Sequence, residues 1–469
     1  MDHVSVYLLA LLHIAPASLS VYHALLYKRD SRSAMGWIMA CIFVPYGGPV
    51  AYYLFGINRV RSRARGLRRQ LFRIEYEAFR PRVRSVPDAA RGLFAVGQRV
   101  TGRGLSAGNS IDLLHNGEQA YPAMLASIES ATERVLLATY ILRTDGIGNE
   151  FATALSAAAV RGVSVQVLID GVGEMYSWPR PSRRLRKLGV PVERFLPPKL
   201  FPPGIYLNLR NHRKLLIVDS DTCYAGGMNI GDENLARSGQ TRKVSDLHFC
   251  LRGPIVSELA TLFHSDWHFT TGQPSAEDVA RAPAEQGTAK CRLIPDGPDD
   301  DLDSLALTLQ GVLTAASDDI AIMTPYFLPN RELIAVLQAA ALQGVRVRIV
   351  LPGKNNLFYV HWANRNLLAE LVGWGIEIYY QPAPFCHSKL LCVDNDYCLV
   401  GSANLDPRSL RLNFELGIEI CSGELNSALR AHFDEVIAKS EKVTVDTLRD
   451  RSIPIRLRDS FAALFTPYL

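Results

Sequence analysis

One pattern occurs twice in this 469-residue chain, as NHRKLLIVDSDTCYAGGMN at 211–229 and as CHSKLLCVDNDYCLVGSAN at 386–404. Each copy holds one H-x-K-x(4)-D: His212, Lys214 and Asp219 in the first, His387, Lys389 and Asp394 in the second. What precedes each copy is doubled as well. ERVLLATYIL, EFATALSAAAV and VSVQVLID follow one another within 133–170, and DIAIMTPYFL, ELIAVLQAAAL and VRVRIVL within 319–351. Strands of β-branched residues that feed an amphipathic helix, end on Gly162 or Gly344 and return to a strand read as right-handed βαβ crossovers. A duplicated α/β body is therefore expected, as is a chain too long for one ordinary core. The Pro, Ala, Glu and Gly-rich stretch Thr271 to Lys290 reads as the linker between its halves.

The doubled motif has the parts that phosphodiester exchange requires. Read on a strand, His and Lys at i and i+2 project from one face. One neutral histidine can attack phosphorus, while the other, protonated, donates to the departing oxygen and then activates the incoming alcohol or water. Lys214 and Lys389, with the amides of Asn229 and Asn404, are candidates to hold the non-bridging oxygens. Asp219 and Asp394 belong to the motif and are counted among its catalytic candidates. Seven residues from their histidines, they have the opposite strand parity, and each opens a turn, so a structural role in the hairpin is the better reading. No metal or other cofactor is required by this chemistry, and the sequence has no carboxylate cluster to hold a metal. The eight cysteines lack the close pairing of a zinc site or a disulfide scaffold, and a reduced body is expected.

The amino terminus has a different composition. His3 to Tyr27 and Ser33 to Asn58 contain no Asp, Glu, Lys or Arg, and each is long enough as a helix to cross a bilayer. Pro16 interrupts the first and Pro45, Gly47, Gly48 and Pro49 the second, so a re-entrant or interfacial hairpin stays open as an alternative. After the second segment come Arg59, Arg61, Arg63, Arg65, Arg68, Arg69 and Arg73, against Lys28, Arg29 and Arg32 in the connecting loop. The stronger basic cluster is expected to stay cytoplasmic and to rest against anionic headgroups. The formal charge of +5 is too small for a nucleic-acid coat, and no basic groove studded with aromatics is evident.

GGMNIGDENL, VSDLHFCLRGPIV, FHSDWHF and SANLDPRSLRLNFELGIEI, with AMGWIMACIFVPYGGPVAYYLFGINR near the start, are similar to segments of the cardiolipin synthases. The chain thus resembles that branch of the HKD phospholipase D superfamily over nearly its whole length. The resemblance implies two α/β/α sandwich halves packed face to face around one shared active site, without a metal. It also implies a carboxylate orienting each histidine, Asp246 for His212 and Glu415 for His387. Ser402 would add a hydroxyl to the phosphate where the first half has Gly227. An aspartate frequent in the family near Asn356 is missing, which leaves headgroup selectivity open. Phe358, Tyr359 and Trp362 are read as core rather than as a headgroup cage.

The expected organisation is a membrane hairpin over 1–58 with segments at about 4–27 and 34–57, and a basic juxtamembrane linker over 59–110. A first phospholipase D-like half follows over 111–270, a linker over 271–290, a second half over 291–440 and a tail over 441–469. The expected activity is phosphatidyl transfer between two phosphatidylglycerol molecules, giving cardiolipin and glycerol through a phosphohistidine, at the inner membrane with the body in the cytoplasm. Its expected partners are phosphatidylglycerol, other membrane lipids and the bilayer surface, not nucleic acid. Hydrolysis to phosphatidic acid, a different phosphatidyl donor, a nuclease and a non-enzymatic scaffold are the alternatives. The attacking histidine and the oligomeric state are left open.

Overall fold

The computed structural model describes residues 3–28, 31–56, 86–87, 90–198, 209–235, 243–273, 283–298 and 301–466. The chain divides into two units, Met1–Gly66 and Leu67–Leu469.

In the first unit the uncharged segment His3–Tyr27 forms one helix that runs through Pro16. The second apolar segment is not one helix. It breaks into Ser31–Phe43, Gly47–Ala51 and a wide π turn at Tyr52–Gly56. Tyr46 takes a positive φ of 59° at the break, and a Cβ on Gly48 would lie 2.0 Å from the Ala40 carbonyl oxygen, so only glycine admits this reversal. A 13-residue helix is about 20 Å long, short of a hydrocarbon core of about 30 Å. Among the described residues no helix is long and apolar enough to cross a membrane. The described helices thus do not supply the full spans that a multi-pass hairpin would need. Inside the unit Ala17, Ala24, Cys41 and Tyr52 are buried together, while Leu11, Leu12, Ile14, Leu19 and Leu25 point outward. Arg59 to Arg73 and Arg29 lie outside the described residues.

The second unit is built on the duplication. The first half contributes β1 (Ser106–His115), β2 (Arg134–Thr139), β3 (Ser164–Asp170), β4 (Val192–Phe195), β5 (Leu215–Val218), β6 (Thr222–Gly226), β7 (Val244–Ser245) and β8 (Leu247–Arg252). The second half contributes β9 (Ala289–Asp296), β10 (Asp319–Met323), β11 (Arg346–Pro352), β12 (Glu377–Gln381), β13 (Phe385–Cys386), β14 (Leu390–Val393), β15 (Tyr397–Gly401), β16 (Glu415–Cys421) and β17 (Glu441–Lys442). Among the described residues, 15 strands form one sheet in the order β17-β12-β11-β10-β14-β15-β16-β9-β1-β8-β6-β5-β2-β3-β4. Read outward from its middle, β1-β8-β6-β5-β2-β3-β4 matches β9-β16-β15-β14-β10-β11-β12 strand for strand. The halves therefore meet edge to edge through antiparallel β1 and β9, where Ser106 faces Cys291 and Asn109 faces Ala289.

Both expected crossovers are present, since β2 runs parallel to β3 after the helix Gly146–Val160, and β10 parallel to β11 after Arg331–Leu342. The Ala-rich helix packs Phe151, Leu155 and Ala158 onto Val135, Leu137, Val165 and Val167, and the helix Ile255–Thr271 crosses β4, β5, β8 and β9. The second half repeats this core with Leu333, Leu337 and Ala340 over Ile320, Ile322, Val347 and Ile349. Element limits differ from the expected divisions in two places. β1 begins at Ser106 and β9 at Ala289, because the pairing that joins the halves recruits residues from both presumed linkers. The expected tail is packed over its described residues 441–466: β17 pairs with β12, and the helix Ile453–Leu464 packs against Phe358–Gly373.

Candidate active site

Both histidine motifs lie in extended segments just before β5 and β14, not on the strands themselves, because there each segment leaves its own sheet to pair with the other half. The His212 amide donates to the Phe414 carbonyl at 2.9 Å, and the Phe414 amide to the Arg210 carbonyl at 2.8 Å. Correspondingly, the His387 amide donates to the Ser245 carbonyl at 2.8 Å, and β13 pairs in parallel with β7. The two motifs are thereby brought to one place.

This exchange reverses the expected pairing of carboxylates. His212 Nδ1 is 3.0 Å from both carboxylate oxygens of Glu415, and His387 Nδ1 is 3.0 Å from Asp246 Oδ2. Each histidine is held by the opposite half, since the segment beside it belongs to that half. Asp246 does not orient His212, nor Glu415 His387. With Nδ1–H directed at a carboxylate, Nε2 keeps the lone pair, which fixes the tautomer that can attack phosphorus.

The other candidates fall into two groups. Lys214 Nζ donates to the His212 carbonyl at 2.6 Å, and Lys389 Nζ, which donates to the His387 carbonyl, lies 3.1 Å from His387 Nδ1. Buried Asn404 leaves its Oδ1 without a partner among the described residues, and Asn229 Oδ1 accepts from the Ile141 amide at 3.3 Å. Ser402 does not offer its hydroxyl to the phosphate position: it donates to Glu415 at 2.5 Å and accepts from the Leu416 amide. It supports the carboxylate. A side chain at the matching Gly227 would meet Asp246 Oδ2 at 2.9 Å and Lys389 Nζ at 3.1 Å, which explains the glycine.

Asp219 and Asp394 stand apart from this constellation. Asp219 accepts from the amides of Thr132, Glu133 and Arg134, and Asp394 from those of Ser317, Asp318 and Asp319. Both have positive φ, 50° and 48°, and both tie the turn after the motif strand to the start of the neighbouring strand. Their place among the catalytic candidates is withdrawn.

Burial sets the protonation of the site. It lowers His212 to about 4 against the Glu415 charge that raises it, and lowers His387 to about 4 with Lys389 acting in the same direction and Asp246 opposing. Burial pushes both carboxyls up, but contacts with His212 (for Glu415) and with His387 and Lys389 (for Asp246) outweigh it, so both stay below their ordinary values. Burial also lowers Lys214 and Lys389. Near neutral pH the resting site thus holds two ionised carboxylates and two neutral imidazoles. A phosphodiester anion entering it raises the imidazoles and draws in the proton that a leaving alkoxide requires.

Several contributors were not singled out from the sequence. Asn413 donates to Glu415 at 3.1 Å. Buried Arg213, between His212 and Lys214, donates from Nε to the Glu415 carbonyl, from Nη2 to the Asp296 carbonyl and from Nη1 to Asp266, so it binds the halves together behind the site. Tyr140 packs edge-on to His212 at 5.2 Å, with Lys214 Nζ 5.4 Å from its ring centre. An arginine inside a histidine motif and an acid inside an apolar helix were the signals for Arg213 and Asp266. Of the aromatic trio read as core, Tyr359 and Trp362 are partly buried, and Phe358 is exposed. Among the described residues no cluster of three or more His, Cys, Asp or Glu could hold a metal ion, and all eight cysteines are buried and unpaired.

Comparison with known proteins agrees with this geometry. Residues 124–267 and 309–437 match the model of the cardiolipin synthase phospholipase D-like domain, and residues 7–56 match that of the phospholipase D-nuclease N-terminal region. The chain is 30% identical over 481 residues to the major cardiolipin synthase of Bacillus subtilis, covering 99% of this chain and 100% of that one. A probable cardiolipin synthase of Bacillus subtilis and a cardiolipin synthase of Oceanobacillus iheyensis are also 30% identical, each over 98% of this chain and over 93% and 99% of their own lengths. The fold is similar to that of a phosphatidylserine synthase from Haemophilus influenzae, with a TM-score of 0.63 and 13% identity over 82% of this chain and 100% of that one.

Proposed function

The chain belongs to the cardiolipin synthase family of the phospholipase D superfamily, and from that premise we propose that it moves a phosphatidyl group from one phosphatidylglycerol to another. The observation that carries the reading is the convergence of two His-Lys pairs, each histidine buttressed by a carboxylate of the other half.

Nε2 of one histidine attacks phosphorus, the bond to the headgroup glycerol breaks, and the second imidazolium gives that glycerol its proton. Lys214, Lys389 and the amides of Asn229 and Asn404 serve the non-bridging oxygens of the transition state. The second imidazole, now neutral, takes the proton from a hydroxyl of another phosphatidylglycerol. That oxygen displaces histidine from phosphorus, and cardiolipin leaves. The protein's own groups carry every proton, and none of these steps consumes a nucleotide.

Purified protein given phosphatidylglycerol vesicles without any nucleotide-linked lipid is expected to form cardiolipin and glycerol in excess of phosphatidic acid, as read by mass analysis of the lipids. Predominant phosphatidic acid would make the protein a hydrolase, and product appearing only with a CDP-activated lipid would refute the donor.

The N-terminal unit, with its outward leucines and its match to the N-terminal family region, supports attachment to the membrane. The finer placement proposed here is the inner membrane, entered by both apolar segments, with Arg59 to Arg73 holding the catalytic unit on the cytoplasmic side. A cysteine introduced at Lys28 should react with an impermeant thiol reagent in intact cells. Protection there, with labelling of residues after 75, would reverse the topology.

A further inference from the structure

The helix Ile453–Leu464 has two apolar faces and a partner for only one. Its inner face sets Ala462 in a cluster with Leu328, Val360 and Ala363, which Tyr326, Tyr359 and Trp362 border. Buried Asp459 on that side takes ion pairs from Arg365, Arg451 and Arg458. Four residues of the outer face, Ile453, Leu457, Phe461 and Leu464, are 63% to 72% exposed. With Pro454 and Phe465 they cover an unbroken arc of about 120° at 100° per residue. An arc that wide on a helix already packed along its other side is unusual for a surface in contact only with water.

What lies around this face identifies its occupant. The cluster under the helix reaches the site, because Tyr326 packs 6.3 Å from Phe385 and Phe385 packs 6.1 Å from His387. Phe358, 61% exposed, opens the helix on which Ile453–Leu464 rests. Across the site, Tyr176 stands 6.4 Å from Tyr140, which touches His212, and Met175, Tyr176 and Trp178 are exposed on that loop. The exposed cations Arg180, Arg183, Arg186 and Lys187 follow Trp178 directly. Lys354 precedes Phe358, and Arg456 on the C-terminal helix is exposed without an ion pair among the described residues. Aromatic and aliphatic side chains bordered by exposed cations suit the boundary of an anionic bilayer.

We propose that the outer face of Ile453–Leu464, with Phe358 and the loop Met175 to Trp178, is a bilayer-docking surface of the catalytic unit, seating the site mouth on anionic lipid. The proposal rests on the lipid-transfer reading, since only a lipid substrate gives such a surface a purpose.

The test uses full-length protein reconstituted in phosphatidylglycerol vesicles. All eight native cysteines are buried, so a fluorophore can be directed to Leu457→Cys or Phe461→Cys. Val160→Cys is the control, since Tyr140 beside His212 follows the end of β2, and exposed Val160 ends the helix that returns the chain to the start of the parallel strand β3, the opposite end of these strands. Quenching by spin-labelled lipid is expected at 457 and 461 and not at 160. The double variant L457E/F461E should lose about tenfold or more of its rate on vesicles and keep its rate on short-chain phosphatidylglycerol below its micelle concentration. Unquenched labels at 457 and 461, or equal loss on both substrates, would overturn the docking surface. So would a wild-type dimer that the double variant dissociates without any quenching, which would assign the face to a second copy. Labels quenched at 457 and 461, with wild-type protein that turns over neither substrate, would leave the surface standing and sink the transferase reading.

Discussion

Alanine at either His212 or His387 is expected to lower turnover by about a thousandfold or more, because each imidazole has a duty that the other cannot assume in the same step. Without the attacking histidine no covalent intermediate forms. Without the second, the leaving glycerol departs as an alkoxide and the acceptor hydroxyl is not deprotonated. Initial rates with purified full-length variants read this directly, and His212→Gln, which leaves Glu415 an amide to pair with, separates chemistry from folding. Half of the wild-type rate in each single variant would mean two independent sites and contradict the single constellation described above.

The second large effect follows from the crossed carboxylates. Glu415→Gln and Asp246→Asn keep the shapes of these buried side chains and remove their charge, and each is expected to cost about a hundredfold to ten-thousandfold in rate. The pH profile then reveals which histidine is the acid. Each carboxylate raises the pKa of the histidine it touches, so its removal lowers that pKa further and leaves less imidazolium at any given pH. For the histidine that protonates the leaving group, the alkaline limb of the rate profile moves to lower pH. If Glu415→Gln moves that limb, His212 is the acid; if Asp246→Asn moves it, His387 is. A Glu415→Gln variant in which the titration of His387 shifts and that of His212 does not would refute the crossing.

The duplicated architecture was legible because it is written in local pattern. The β-branched strands, the Ala-rich helices and the glycines that end them specify each crossover without reference to the rest of the chain, and the doubled His-Lys motif marks the site. The parity of Asp219 and Asp394 correctly pointed away from the histidines, and their amide contacts now give the reason. What could not be read was which half supplies which partner. Spacing along one strand says nothing about a segment that leaves its sheet to pair with Phe414 or Ser245, and the exchange of Asp246 and Glu415 follows from that departure alone. The role of Ser402 was hidden for a similar reason, since its hydroxyl is taken up by a carboxylate whose position depends on the whole fold. The second apolar segment had enough length for a span, and its Pro and Gly residues were noted. The reversal at Tyr46 and Gly48 shows that they divide the helix rather than bend it. Phe358 was misjudged because helical spacing cannot distinguish a face turned to the core from one turned outward.

The contact between His212 and Glu415 spans 203 positions of the chain. A ribosome adding about 5 to 20 residues per second needs roughly 10 to 40 s to cover that distance. Throughout that interval the emerging first half carries a histidine without its orienting carboxylate, and His387 is made only shortly before Glu415. A nascent chain therefore cannot begin to process lipid while it is still incomplete. Activity switches on late and as a whole, when the segment that enters β16 at Phe414 and Glu415 closes against Arg210 and His212 of the first half.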